Sequence, residues 1–146
     1  MKELIDWNEC MRKYVKKVEA DAEKVRSLLK MTQIRERTIP MIKRDKETIS
    51  VLTENYYEII KELLVGLMLL HGMKSDNHEC LISFFKKNYS EYEYESNLIY
   101  QLKTVRNRID YEGFLVPPQY LGNNELEFKH IIKLLRALVE KRLDEW

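Results

Sequence analysis

Glycine and proline are scarce in this chain, with four and three residues in 146, too few turn formers for a sandwich or barrel of many short strands. A surplus of charge is missing too. Lys and Arg number 25 against 24 Asp and Glu, a formal net charge of +1, so bulk electrostatics selects neither nucleic acid nor a membrane surface as partner. The most apolar run, residues 63–70, falls far short of the roughly 20 residues that span a bilayer and reads as a buried helix. The first residues are charged from Lys2 onward and hold no apolar segment resembling a secretory signal. Only two cysteines are present, Cys10 and Cys80, and neither has a second cysteine beside it, so two free thiols in a reducing cytosol are expected. His71, His78 and His130 stand singly and far apart, which predicts no metal site; no cofactor is expected.

What remains is 45% hydrophobic and 34% charged, the make-up of one helical domain over residues 1–146, located in the cytoplasm. Leu4, Met11, Val15, Val18, Ala22, Val25 and Leu29 recur at steps of three, four or seven and predict a long amphipathic helix over about residues 2–31. Such a stripe can pack against a neighbour in its own fold or in a second subunit, and the first is expected here. Thr38-Ile39-Pro40 breaks the pattern within residues 34–40. A second helix follows over about residues 45–70, with Ile49, Leu52, Tyr56, Ile60, Leu63, Leu67 and Leu70 on its stripe, stopped by Gly72.

Asp76-x-x-Glu79 offers a capping box for a short third helix carrying Leu81, Ile82, Phe84 and Phe85. The alternating run Tyr89 to Glu95 reads as a linker whose tyrosines at 89, 92 and 94 serve packing, because Glu91, Glu93 and Glu95 would repel a nucleic-acid backbone. A fourth helix, about residues 94–112, carries Leu98, Leu102, Val105 and Ile109 and ends at Gly113. The last is announced by Asn124-x-x-Glu127. The expectation is an all-α, single up-and-down bundle of four to five helices, its core at about residues 45–143.

The densest group of hydrogen-bonding side chains beside an apolar stripe is Val105-Arg106-Asn107-Arg108-Ile109-Asp110-Tyr111-Glu112. At about 100° per residue, Arg106, Asp110, Asn107 and Tyr111 fall at roughly 0°, 40°, 100° and 140°, with Lys103 in the same arc. An arginine with an amide, a carboxylate and a phenol on one flank suits a phosphate and an adjoining base. The plainer reading is an ion pair between Arg106 and Asp110 on a helix surface. The basic residues Arg35, Arg37, Lys43, Arg44 and Lys46 could likewise attract phosphates, although a solvated loop and helix start accounts for them too.

An arginine followed by a polar residue near the end of a long helix, after Tyr56-Tyr57, Leu69-Leu70-His71-Gly72 and Ser75-Asp76-Asn77-His78, resembles the HEPN domains (higher eukaryotes and prokaryotes nucleotide-binding). The resemblance runs from about residue 56 to 140. Arg106 matches that family's arginine and Asn107 its polar position, but Tyr111 stands where a histidine belongs, as in divergent members. In nuclease members the arginine and histidine are thought to cleave RNA without metal across a dimer interface. A phenol titrates near 10 rather than near neutrality, which argues against cleavage here and leaves binding as the retained capacity.

The resemblance implies a homodimer that binds a nucleotide or RNA through Arg106, Asn107, Asp110, Tyr111 and Lys103. It also implies a place beside a separate small nucleotidyltransferase, as its non-catalytic substrate-binding partner, or within a toxin–antitoxin pair. Two alternatives stand beside it. One is a metal-independent ribonuclease using Arg106 with Tyr111 or Asp110. The other is a structural interaction module using the stripe from Met11 to Leu29.

Overall fold

A computed structural model describes residues 3–146, among which six α-helices and one two-stranded sheet are formed. The elements run α1 (Trp7–Lys13), β1 (Val15–Lys17), α2 (Ala22–Thr38), a 3-10 turn (Ile39–Met41), α3 (Thr48–Leu70), β2 (Met73–Ser75), α4 (His78–Asn88), a 3-10 turn (Ser90–Tyr92), α5 (Glu93–Glu112) and α6 (Pro118–Asp144). The helical class expected from composition holds, with six helices in place of four or five. No helix among the described residues is long and apolar enough to cross a membrane.

α3 is the centre. Fifteen of its 23 residues are buried, and α2, α4, α5 and α6 all pack on it. Asp45 starts this helix by accepting the backbone N–H groups of Glu47 and Thr48, both at 2.9 Å. It ends where expected, at His71 and then Gly72, whose φ of 75° is a left-handed conformation that glycine adopts at little cost. Around α3 the buried side chains Leu52, Ile59, Ile60, Leu67 and Met68 meet Phe84 and Phe85 of α4, Ile99 and Leu102 of α5, and Phe128, Ile131 and Leu135 of α6. Each such residue contributes about 1.5–3 kcal/mol by leaving water.

The expected long first helix is corrected: α1 and α2 are separate, divided by β1 (Lys2 lies outside the described residues). Two aspartates supply the fresh starts, Asp6 accepting from the Asn8 N–H and Asp21 from the Lys24 N–H. Between them, Val15, Lys16 and Lys17 pair antiparallel with Ser75, Lys74 and Met73, and the Val18 N–H extends the ladder to the Gly72 carbonyl at 2.9 Å. Long-range backbone pairing thus overrides a local helical spacing. The stripe is consequently no continuous seam: Val25 is fully buried against the fold, while Met11 is 40% exposed.

The thiol expectation is overturned as well. Cys10 and Cys80 form a disulfide, with Cα atoms 5.6 Å apart, that ties α1 to α4. No cysteine among the described residues is free, so the thiols give no argument for a reducing compartment.

Two helix starts differ in detail. α4 is capped by Asn77, whose Oδ1 accepts from Glu79 and Cys80, rather than by Asp76; Glu79 instead accepts the Ile5 N–H at 3.3 Å. α6 begins at Pro118, where a missing N–H costs no helical bond, and Asn124 lies inside it with its amide donating to the Tyr120 carbonyl. The break after α2 falls at its far end, in the turn Ile39–Met41. Of the three tyrosines, Tyr89 and Tyr92 both stack on Phe85, whereas Tyr94 is exposed.

Candidate functional site

α3 is apolar nearly all round, yet Glu54, Glu58 and Lys61 recur on it at steps of four and three and form a polar stripe on one face. α5 lays Arg106 and Asp110 against that stripe. The Arg106 Nε lies 3.1 Å from Asp110 Oδ2, its Nη2 3.5 Å from Glu58 Oε1, and its guanidinium carbon 5.4 Å from the centre of the Tyr57 ring. Glu58 also holds Lys61, at 2.7 Å. The Arg106 side chain is 20% exposed, so it sits at the border of core and solvent with two carboxylates around it. The plain ion pair read from the spacing of Arg106 and Asp110 is present, and extends into a network with α3.

Acid gathers at one end of this network. Burial, followed by the negative charge of the neighbouring Asp110, pushes the Glu54 pKa up.

Base gathers at the other end. His78, at the first turn of α4, meets the Tyr57 hydroxyl at 3.3 Å through Nδ1. Burial lowers the His78 pKa, and the charges of Lys61, Arg106 and Lys103 lower it further, so its imidazole is neutral at pH 7. Burial likewise raises the Tyr57 phenol pKa, against the pull of Arg106. Beside His78 opens a cavity of about 310 Å³ whose lining includes Lys24, Lys61 and Lys74 against Asp76 alone. Ser75 adds a hydroxyl to the wall. Three ammonium groups, a hydroxyl and an imidazole around one cavity can hold a phosphate, with protonation of His78 strengthening the hold.

The structure divides the five residues singled out in the sequence. Arg106 and Asp110 face α3. Lys103, Asn107 and Tyr111 line a separate groove of about 350 Å³ between α5 and the first turn of α4, together with Tyr100, Arg108, Glu79 and Glu112. Asn107 is the link, its Oδ1 accepting from Arg106 Nη1 at 3.4 Å. Tyr111 is 80% exposed and stands apart from the network. Sequence reasoning missed Glu54, Tyr57, Glu58, Lys61 and His78. The charged stripe on α3 was a usable signal for the glutamates and the lysine; nothing local marks His78, which meets the network only because α4 packs on α3 and α5.

His71 and His130 lie elsewhere. The His71 ring nitrogen meets the Tyr89 hydroxyl at 2.9 Å and packs on Phe84, and burial lowers its pKa. No group of three or more metal-binding side chains occurs among the described residues. Set against family models, curated proteins and solved structures, the chain matches none.

Proposed function

We propose that this chain is a HEPN-like helical module that binds the phosphate of a nucleotide or of RNA in the cavity between α2, α3, β2 and the start of α4, beside the Arg106 network. In this reading it acts as a homodimer and as the non-catalytic partner of a separate nucleotidyltransferase, or as a toxin–antitoxin component. One observation carries the binding: Lys24, Lys61 and Lys74 stand with Ser75 and His78 in the wall of one cavity, where Asp76 is the acidic side chain. Within this site Arg106 orders the network, while the lysines supply the charge that meets the ligand.

The test is anisotropy of a fluorescein-labelled single-stranded RNA, with ATP as competitor, in the presence of chelator. Lys61→Ala with Lys74→Ala is the more informative variant, because Arg106→Ala would strip both Glu58 and Asp110 of a counter-ion, whereas Lys61→Ala leaves Arg106 beside both carboxylates. Binding is expected to weaken about tenfold in the double variant and to fall with added salt. It should tighten as the pH drops below the ordinary histidine value of 6.5, where His78 gains its proton. Affinity unmoved by both the variant and pH would overturn the proposal.

A second reading, cleavage of RNA without metal, has one observation in its favour. Neutral His78 near Arg106 is an imidazole of the kind that the stretch after Arg106 lacks, whereas Tyr111 is exposed in the other groove and Asp110 is tied to Arg106. RNA cleavage in chelator that disappears in a folded His78→Ala variant supports it; intact RNA after prolonged incubation sinks it.

A further inference from the structure

A different face of the molecule carries a second cavity, of about 480 Å³, enclosed by α2, the turn Ile39–Met41, α3 and α6. It shares no lining residue with the cavity beside His78. Lys129, Lys133 and Arg136 recur at steps of four and three on α6 and so present one cationic face to it. Arg44 faces them from the segment ahead of α3, and Glu36 is the only acidic side chain in the lining.

The two arginines are held in place before any ligand arrives. Arg44 donates from both terminal nitrogens to the Glu125 carboxylate, which also accepts from the Tyr56 hydroxyl at 2.6 Å. Arg136 bonds Glu36 Oε1 at 3.1 Å and Thr32 Oγ1 at 3.4 Å, while its buried Nε has no hydrogen-bond partner. Lys129 and Lys133 are exposed at the rim, form no ion pair among the described residues, and stand one helical turn apart, so each repels the other. Ile39 and Pro40 make the wall apolar on one side.

We propose that this cavity binds a small organic phosphate monoester. Two exposed lysines and two fixed guanidiniums outweigh Glu36 and Glu125, a surplus of two positive charges, which a dianionic phosphate would neutralise. The apolar wall takes the ligand's carbon body, and the volume is that of a single small molecule.

Phenyl phosphate is the probe, titrated by calorimetry into the full chain, with inorganic phosphate in parallel. At this cavity phenyl phosphate should bind one to one and more tightly than inorganic phosphate, as a class of sites separate from any weaker binding in the cavity beside His78. Lys129→Ala with Lys133→Ala should weaken it about tenfold without moving the melting temperature, because both side chains are exposed. Lys61→Ala with Lys74→Ala should leave it unchanged. No saturable binding, an unaltered affinity in the 129/133 variant, or a loss in the 61/74 variant would each overturn this assignment, and the last would move the ligand to the cavity beside His78.

Discussion

Glu125 shows how one side chain can set the acid limit of a helix contact. It comes from α6, is 15% exposed, and lies between the Arg44 guanidinium and the Tyr56 hydroxyl. The hydrogen bonds from Arg44 lead the causes that lower its pKa from the ordinary 4.5 to about 2, and burial opposes them. Burial, and then the same glutamate, raises the Tyr56 phenol. A carboxylate depressed by folding contributes its full stabilisation above the unfolded value and loses it as the pH falls through the folded one. The contribution is therefore complete above about pH 4.5 and gone near pH 2. Arg44 is nearly half exposed, so solvent screening trims the gain to about 1–2 kcal/mol. Glu125→Gln should cost that amount at pH 7 and flatten the stability profile between pH 4.5 and 2, read by urea unfolding across pH. An acid limb identical to that of the parent chain would refute this role.

At the scale of elements, glycines at two helix ends make a controlled comparison. Gly72 after α3 and Gly113 after α5 both adopt positive φ, 75° and 64°. A Cβ added at Gly72 would lie 3.3 Å from the Val18 carbonyl oxygen, against backbone that is itself paired in the small sheet, whereas one at Gly113 would meet open space. Gly113→Ala should cost about 1 kcal/mol for the left-handed conformation alone, and Gly72→Ala about 2 kcal/mol with the crowding added. Equal losses in denaturant unfolding would show that the contact with Val18 yields freely.

Both glycines are legible in the sequence, as are α3 and α5, because their signals are local: a periodic stripe and a residue that permits positive φ. The division of the first 38 residues is not legible in the same way. Its deciding partner for Val15 to Lys17 is Met73 to Ser75, nearly 60 positions away, and the apolar spacing from Leu4 to Leu29 is satisfied equally by one helix or by two helices around a strand. The candidate site divides along the same line. Arg106 with Asp110 follows from helical spacing, while His78 and the α3 carboxylates come to Arg106 only through tertiary packing.

For the whole molecule, the disulfide and the small sheet act together as a clasp. Cys10–Cys80 joins residues 70 positions apart, β1 pairs with β2 close by, and Ile5 is held to α4 through Glu79 and the Ser83 hydroxyl. Closing so long a loop in the unfolded chain removes much of its freedom, a stabilisation of about 2–4 kcal/mol. The clasp lies two residues from His78 and one from Glu79, so it also fixes the start of α4 on which the basic end of the site depends. Cys10→Ser with Cys80→Ser should lower unfolding stability by about 2–4 kcal/mol, and hydrogen exchange should speed up first in α1, β1 and the first turn of α4. The buried helices α3 and α6 pack mainly on each other, and α3 on α2 as well, so they should keep most of their protection. On the proposed function, RNA affinity should fall alongside the exposure of α4, while the phenyl phosphate binding proposed for the cavity of Lys129 and Lys133 should persist. Uniform loss of protection across all helices at once would show that the clasp and the bundle unfold as one unit.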